Sequence, residues 1–185
     1  MRDLIELLES KSKPSDVEMS KLSYGIGSLN PVMSSNTVKY HYEKLAKGYA
    51  DRFNNNDGDK TFNYAGFWLH NIFFSQFRSP RNNNIPNGPI FNLIKSKFKT
   101  WEKFKEDFKE EALTVQGSGW VYLAKDGKLR KIPNHQVRND ILILVDMWEH
   151  AYNLDYGSDK KRYLDNIWRI FDWNKVNSRW GQDYK

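Results

Sequence analysis

The spacing of apolar residues changes partway along this chain, and that change limits the possible folds more than any other feature. Up to about residue 113, apolar and aromatic residues recur every three or four positions, as they do on the buried face of a helix. From Trp120 to Val145 they form short runs, which are typical of strands. We therefore expect an α+β protein in which a helical part precedes a small sheet.

Three helices are predicted in the first part. The first runs from about Ser35 to Phe53, with a polar cap at its start. A turn at Asn54–Gly58 separates it from Thr61–Gln76, which is apolar nearly all round and must therefore be buried. These two helices predict an N-terminal helical hairpin. The third helix is predicted from Pro89 to Leu113, as an amphipathic stripe among lysines and glutamates.

The second part predicts a small three-stranded antiparallel sheet. An Asp-Gly pair at positions 126 and 127 indicates a tight hairpin between Trp120–Ala124 and Leu129–Ile132. The unbroken apolar run Ile141–Val145 indicates a buried third strand. Helical segments at Tyr163–Phe171 and Trp173–Trp180 complete a C-terminal α/β layer, on which we expect the hairpin to pack.

The chain divides into three predicted parts: a leader at residues 1–21, a helical hairpin domain at 22–88 and a C-terminal α/β domain at 89–185. The leader has one short amphipathic stretch at Leu4–Leu8, and Pro14 separates that stretch from the hairpin domain. The proline- and asparagine-rich residues 78–89 are the predicted linker between the two domains.

Composition excludes several classes of site and partner. The chain has no cysteine, which excludes disulfides, iron-sulfur clusters and thiolate zinc sites. The net charge of +6 is interspersed and comes with no recognition motif, so we expect no specific nucleic-acid partner. The first twenty residues are acidic and resemble neither a signal peptide nor a transit peptide, and no apolar run approaches a membrane span. We therefore expect an intracellular, cytoplasmic protein with no membrane partner.

Three of the four histidines, His41, His70 and His150, occur with Asp146 in local sequences typical of a redox-metal site. A single histidine on an apolar helix is more often a core residue than a ligand. Asp146, however, ends an apolar strand, where a carboxylate is costly to bury unless a cation neutralises it, and His150 follows four residues later. Three imidazoles and one carboxylate suit iron and manganese, and also zinc, so the ligand set alone does not choose the metal.

From about Leu22 to Trp180 the chain resembles the iron/manganese superoxide dismutases. Four sequence blocks carry the resemblance, and both their order and their local sequences match that family: Thr37–Tyr42, His70–Phe74, Gly117–Trp120 and Asp146–Tyr152. The last block is the most specific, because it is followed by Tyr163–Trp168 and Trp173.

The resemblance implies one iron or manganese ion per subunit, bound by His41, His70, Asp146 and His150. It implies superoxide as the substrate, disproportionated to oxygen and hydrogen peroxide. The same resemblance implies roles around that centre for four further residues. Trp120 and Trp148 would wall the site, Tyr49 would stand at the substrate funnel, and Glu149 would reach across a twofold axis to the partner's metal ligand. A homodimer is therefore expected.

The chain departs from the family in the residue that contacts the solvent ligand of the metal. A glutamine usually does so, from four residues before the second histidine or from the region before the aspartate. The first position is Gly66 here, and the second region contains His135 and Gln136. His135 replaces the glutamine in the simplest interpretation, Gln136 does so if the loop shifts by one residue, and the plain alternative is that His135 is an exposed loop residue.

Two further departures concern the dimer contact and the chain length. The histidine and tyrosine that usually form a hydrogen bond across the dimer are replaced by Leu45 and Asn153, so both partners of that bond are gone. Only 28 residues separate His41 from His70, fewer than the family usually has. We therefore expect a shortened, divergent member with a trimmed helical hairpin.

Two other functions compete with dismutation. A weakened protein of this fold could serve as a structural or interaction subunit, but it would have no reason to keep four ligands. A non-haem iron oxygenase needs two histidines, one carboxylate and open positions for a co-substrate. The third histidine and the missing anchor for a co-substrate speak against it.

Overall fold

The N-terminal layer of the computed structural model, which describes residues 16–180, is a helical hairpin. Its first arm joins α1 (Ser35–Val38), a π-helical segment (Lys39–Ala46) and α2 (Lys47–Asn54) without a break. Its second arm is α3 (Lys60–Ser75), which packs against α2. Both arms begin at a side-chain cap, Ser34 for the first and Asp59 for the second. The predicted hairpin is thereby confirmed.

The predicted third helix was wrong in one respect, because it is two helices. These are α4 (Gly88–Phe98) and α5 (Trp101–Leu113). Between them Lys99 has a φ of +74°, and the side chain of Thr100 caps α5 by accepting a hydrogen bond from the backbone N–H of Lys103. The break lets the rings on either side of it, Phe98 and Trp101, pack on the same Phe104 ring.

The second layer contains one antiparallel sheet of three strands, which confirms the α+β class. Its strands are β1 (Gly119–Ala124), β2 (Leu129–Pro133) and β3 (Ile141–Asp146), in the order β2-β1-β3. Every residue of β1 and β3 is buried, whereas the edge strand β2 is partly exposed. In the register of the sheet Trp120 pairs with Asp146, so the central strand brings an indole beside the carboxylate.

Short helical elements complete the layer and confirm the helical prediction for the end of the chain. They are a 3-10 turn (Glu149–Ala151), α6 (Asn153–Tyr156), α7 (Lys160–Asn166), a second 3-10 turn (Ile167–Ile170) and α8 (Trp173–Ser178). Two residues separate the end of β3 from the first of them, which carries His150.

Only the end of the predicted leader lies within the described residues. Val17 exchanges hydrogen bonds with the side chain of Asn54 in α2, and the side chain of Met19 is buried in the core. The amphipathic stretch Leu4–Leu8 lies outside the described residues. Within residues 16–180, no helix combines the length and the apolar character that a membrane span requires.

Candidate metal centre

Four side chains from both layers meet between the hairpin and the sheet. His41 comes from the π-helical segment, His70 from α3, Asp146 from the end of β3 and His150 from the 3-10 turn that follows it. One ligand atom from each lies within 4.8 Å of the others. Three of the four are fully buried, and the side chain of His150 is 14% exposed. The structure thus brings together all four residues predicted to bind the metal.

Hydrogen bonds from nearby residues fix the orientation of Asp146. Its Oδ1 accepts a hydrogen bond of 2.8 Å from the backbone N–H of Trp148, and its backbone carbonyl accepts one from the hydroxyl of Tyr163. The other oxygen, Oδ2, therefore faces the imidazoles, 3.2 Å from His41 Nε2 and 3.3 Å from His150 Nε2. Oδ2 is therefore the carboxylate oxygen that is available to bind a metal together with the imidazoles.

Two of the imidazoles are held neutral. Burial lowers the pKa of His41 to about 4 and lowers that of His70 well below its usual value. The Nδ1 of His70 lies 2.6 Å from the carbonyl oxygen of Gly66, so Nδ1 carries the proton and donates it there. The lone pair of His70 Nε2 consequently points to the centre, and a neutral imidazole of this kind is a metal ligand.

The unsatisfied atoms of the cluster fit a metal cation. The Nε2 atoms of His41 and His70 are buried and form no hydrogen bond with any residue from 16 to 180. Burial by itself would raise the pKa of Asp146, but His150 and His41 outweigh it and hold that pKa below its usual range. The buried carboxylate beside the neutral rings of His41 and His70 carries a negative charge that a divalent or trivalent ion would neutralise.

His135 lies against the centre, and the exposed-loop alternative for it is wrong. Its side chain is buried, and its ring stacks on Trp148 with centroids 4.6 Å apart. Its Nδ1 accepts a hydrogen bond of 3.1 Å from the indole N–H of Trp120. Gln136, by contrast, is exposed and accepts a hydrogen bond from Arg138. In the neutral ring the proton must then sit on Nε2, which is buried and without a partner among the described residues.

Gly66 leaves room for Tyr49. A Cβ atom at position 66 would lie 2.8 Å from two ring atoms of Tyr49, closer than carbon atoms approach. The Tyr49 ring fills this space and packs on His70 and His135, with centroids 5.3 and 4.8 Å away. A glutamine at position 66 would therefore collide with the Tyr49 ring in its present position.

Two residues near the centre, Phe62 and Arg52, were missed by sequence reasoning. The ring of Phe62 lies 4.7 Å from that of His135, and the guanidinium of Arg52 lies over the ring of Tyr49. Arg52 could have been found, because it comes three positions after Tyr49 and so shares its helix face. Of the predicted dimer residues, Glu149 and Asn153 are exposed and Leu45 is half-buried.

A buried polar clamp joins two of the ligand-bearing elements behind the centre. The side-chain amide of Gln76, just after α3, pairs with both the N–H and the C=O of Leu144 in β3. The guanidinium of Arg179 donates to Gln76 Oε1, to the carbonyl of Leu142 and to the carbonyl of Ile72. The clamp therefore ties the helix that carries His70 to the strand that ends in Asp146.

Comparison with known proteins gives one consistent result. The family described as iron/manganese superoxide dismutases, C-terminal domain, matches residues 86–179. A protein named superoxide dismutase [Mn/Fe] from Porphyromonas gingivalis is 39% identical over 88% of this chain and 98% of its own length. A superoxide dismutase [Fe] from Bacteroides fragilis is 36% identical over the same shares. A superoxide dismutase [Mn/Fe] from Aeropyrum pernix is 30% identical over 88% of this chain and 89% of its own length.

Proposed function

This chain belongs to the iron/manganese superoxide dismutase family, and we propose that its buried cluster is the metal centre at which superoxide is disproportionated. The observation that carries the proposal is the convergence of His41, His70, Asp146 and His150 on one point between the two layers. The enzyme is a superoxide dismutase with one iron or manganese ion per subunit. The similarity to superoxide dismutases gives no support to a structural or interaction subunit.

The four converging residues would bind the metal ion, and the ion would supply the redox chemistry of the reaction. Iron or manganese bound there supplies the one-electron redox cycling that the disproportionation of superoxide requires. The imidazoles of His41 and His70 are neutral and Asp146 is ionised. These three side chains therefore need not lose a proton before they bind the ion near neutral pH. Similar relatives are named for iron alone or for both metals, and the donor set accepts either.

His135 is proposed to serve as the hydrogen-bond donor beside the metal. The contact from Trp120 fixes its tautomer, and the stacking on Trp148 fixes its plane, so Nε2–H is the free donor. Burial lowers the pKa of His135 to about 4, so the ring stays neutral near pH 7 and presents one hydrogen atom. Tyr49 packs beside it as the proposed residue of the substrate funnel.

A product balance tests this function. Two superoxide anions and two protons yield one oxygen molecule and one hydrogen peroxide molecule. Iron-loaded and manganese-loaded protein should therefore release peroxide equal to half of the superoxide consumed, and Asp146→Ala should lose both bound metal and turnover. Asp140→Ala, which removes a carboxylate remote from the cluster, is the matched control. Turnover that survives in metal-free Asp146→Ala would contradict the proposal.

We further propose that the protein is a homodimer in which Glu149 acts across the twofold axis. Glu149 is exposed directly beside the ligand His150. Two large apolar side chains, Tyr40 and Leu154, are 47% and 62% exposed. Tyr40 lies in the segment that continues α1, and α1 contacts α6, which carries Leu154. Exposed apolar side chains of this kind are typical of an interface. The cytoplasm remains the predicted compartment.

The mass in solution tests the dimer. Analytical ultracentrifugation should give twice the mass of one chain, which is 21.9 kDa. Glu149→Ala should weaken the dimer and lower the metal occupancy, because the partner's ligand then loses its support. The exposed Glu102→Ala, far from the centre in α5, should do neither. A wild-type protein that is monomeric and fully active would refute the proposed dimer and would leave the proposed dismutase function unaffected.

A further inference from the structure

Arg52 lies over the wall of the metal centre. Its Cζ atom is 4.7 Å from the centroid of the Tyr49 ring, one helical turn earlier in α2. That ring packs in turn on His70 and His135. Only one aromatic residue therefore separates the guanidinium from the ligand cluster.

The partner that holds Arg52 is neutral. The Nε–H of Arg52 donates to Oδ1 of Asn63 over 3.0 Å, and the buried amide of Asn63 is itself fixed by donating to the carbonyl of Asp57. Among residues 16–180 no carboxylate lies within ion-pair distance of this guanidinium. A structural arginine is usually paired with a carboxylate, which cancels its charge. Here the side chain is positioned while its positive charge is kept.

The charge acts on the centre and is open to solvent. Burial raises the pKa of Tyr49 to about 12 and the charge of Asp146 adds to that effect, whereas Arg52 opposes both. The same guanidinium also contributes to the low pKa of His135. Its two terminal nitrogens form no hydrogen bond within the described part of the chain and are not buried. Four N–H groups are therefore free to bind an anion beside Tyr49.

We propose that Arg52 is the docking position for small monovalent anions, superoxide among them, on the side of the centre closed by Tyr49 and His135. This inference rests on the proposed function for its substrate. The guanidinium is a fixed cation beside Tyr49, and no carboxylate of residues 16–180 pairs with it. A cation so placed raises the local concentration of an anionic substrate and its rate of arrival, and salt weakens the effect.

Azide binding to the iron-loaded protein tests the docking position without turnover. Arg52→Gln should weaken azide binding, measured by optical titration, by about tenfold. Arg52→Lys, which keeps the charge, should stay within about threefold of the wild type. Asn63→Asp, which keeps Arg52 but cancels its charge, should weaken azide binding in the same direction as Arg52→Gln. In stopped flow, the superoxide reaction of Arg52→Gln should also depend less steeply on ionic strength than that of the wild type.

The matched control is Lys60→Gln. Lys60 lies on the same hairpin with its ammonium over the ring of Phe53, so this variant removes an equal charge that does not face the centre. It should leave azide affinity and salt dependence unchanged. Equal azide affinity in wild type and Arg52→Gln, or an equal loss in Lys60→Gln, would overturn the inference. Failure of the dismutase function would appear separately, as a wild type with full metal and no turnover, and the azide titration would still decide the role of Arg52.

Discussion

At the scale of single residues, the orientation of the His135 imidazole decides which hydrogen-bond donor faces the metal centre. Its Nδ1 is occupied by Trp120, so only Nε2–H is available to the centre. Sequence reasoning left His135, Gln136 and an exposed loop as alternatives, because a shift of one residue in an irregular loop exchanges the inward and outward side chains. Trp120 and Trp148 bury the histidine between them, and such a contact between distant residues leaves no periodic signal in the sequence.

His135→Val should lower the turnover of metal-loaded protein by about 10- to 100-fold, because it removes the donor while keeping an apolar side chain. His135→Gln should retain most of the turnover, since its amide supplies an N–H without titrating. The comparison is made by pulse radiolysis at equal metal content. Turnover of His135→Val equal to that of the wild type would show that Nε2–H plays no part.

At the scale of helices and strands, the sequence predicted most of what positions the centre. The apolar stripe that begins at Val38 predicted the first arm of the hairpin, and the Asp-Gly pair at 126 and 127 predicted the β-hairpin. The break at Lys99 was missed, since lysine is an ordinary helix residue and only the packing of Phe98 and Trp101 on one ring selects its positive φ. The clamp of Gln76 and Arg179 was missed for the same reason, because its members are about a hundred residues apart.

Arg179→Met should lower the free energy of unfolding by about 2–4 kcal/mol, because the buried carbonyl of Leu142 and the Oε1 atom of Gln76 lose the guanidinium as a donor. Among residues 16–180, the carbonyl of Ile72 then keeps only the hydroxyl of Ser75 as a donor. Chemical denaturation of the metal-free protein measures the loss. Lys175→Met, on the exposed side of α8, should change it by less than about 0.5 kcal/mol. If the two variants unfold alike, the clamp does not hold α3 to β3.

At the scale of the whole molecule, the centre joins the two layers, so its protonation is coupled to folding. Sequence resemblance predicted which four residues meet, and the structure adds that three of them are wholly buried. The buried imidazoles of His41, His70 and His135 make the metal-free protein sensitive to acid, a property that the order of residues along the chain does not reveal.

The metal-free protein should lose stability as the pH falls from about 6.5 to about 4. Burial lowers the pKa of His41 and of His135 to about 4, so the unfolded chain takes up protons in this range before the folded chain does. Each of the two histidines then removes on the order of 3 kcal/mol, and their effect levels off below about pH 4. Thermal melts across this range measure it, and His135→Gln should show a shallower slope. A melting temperature constant from pH 7 to pH 4.5 would be incompatible with neutral buried imidazoles.

The most direct test of the central claim is the decay of superoxide by stopped flow, on protein loaded separately with iron and with manganese and with bound metal quantified in the same samples. A redox centre built from His41, His70, Asp146 and His150 predicts a decay rate proportional to the bound iron, the bound manganese or both. Stoichiometric metal in the site, with superoxide decaying no faster than in buffer, would contradict it.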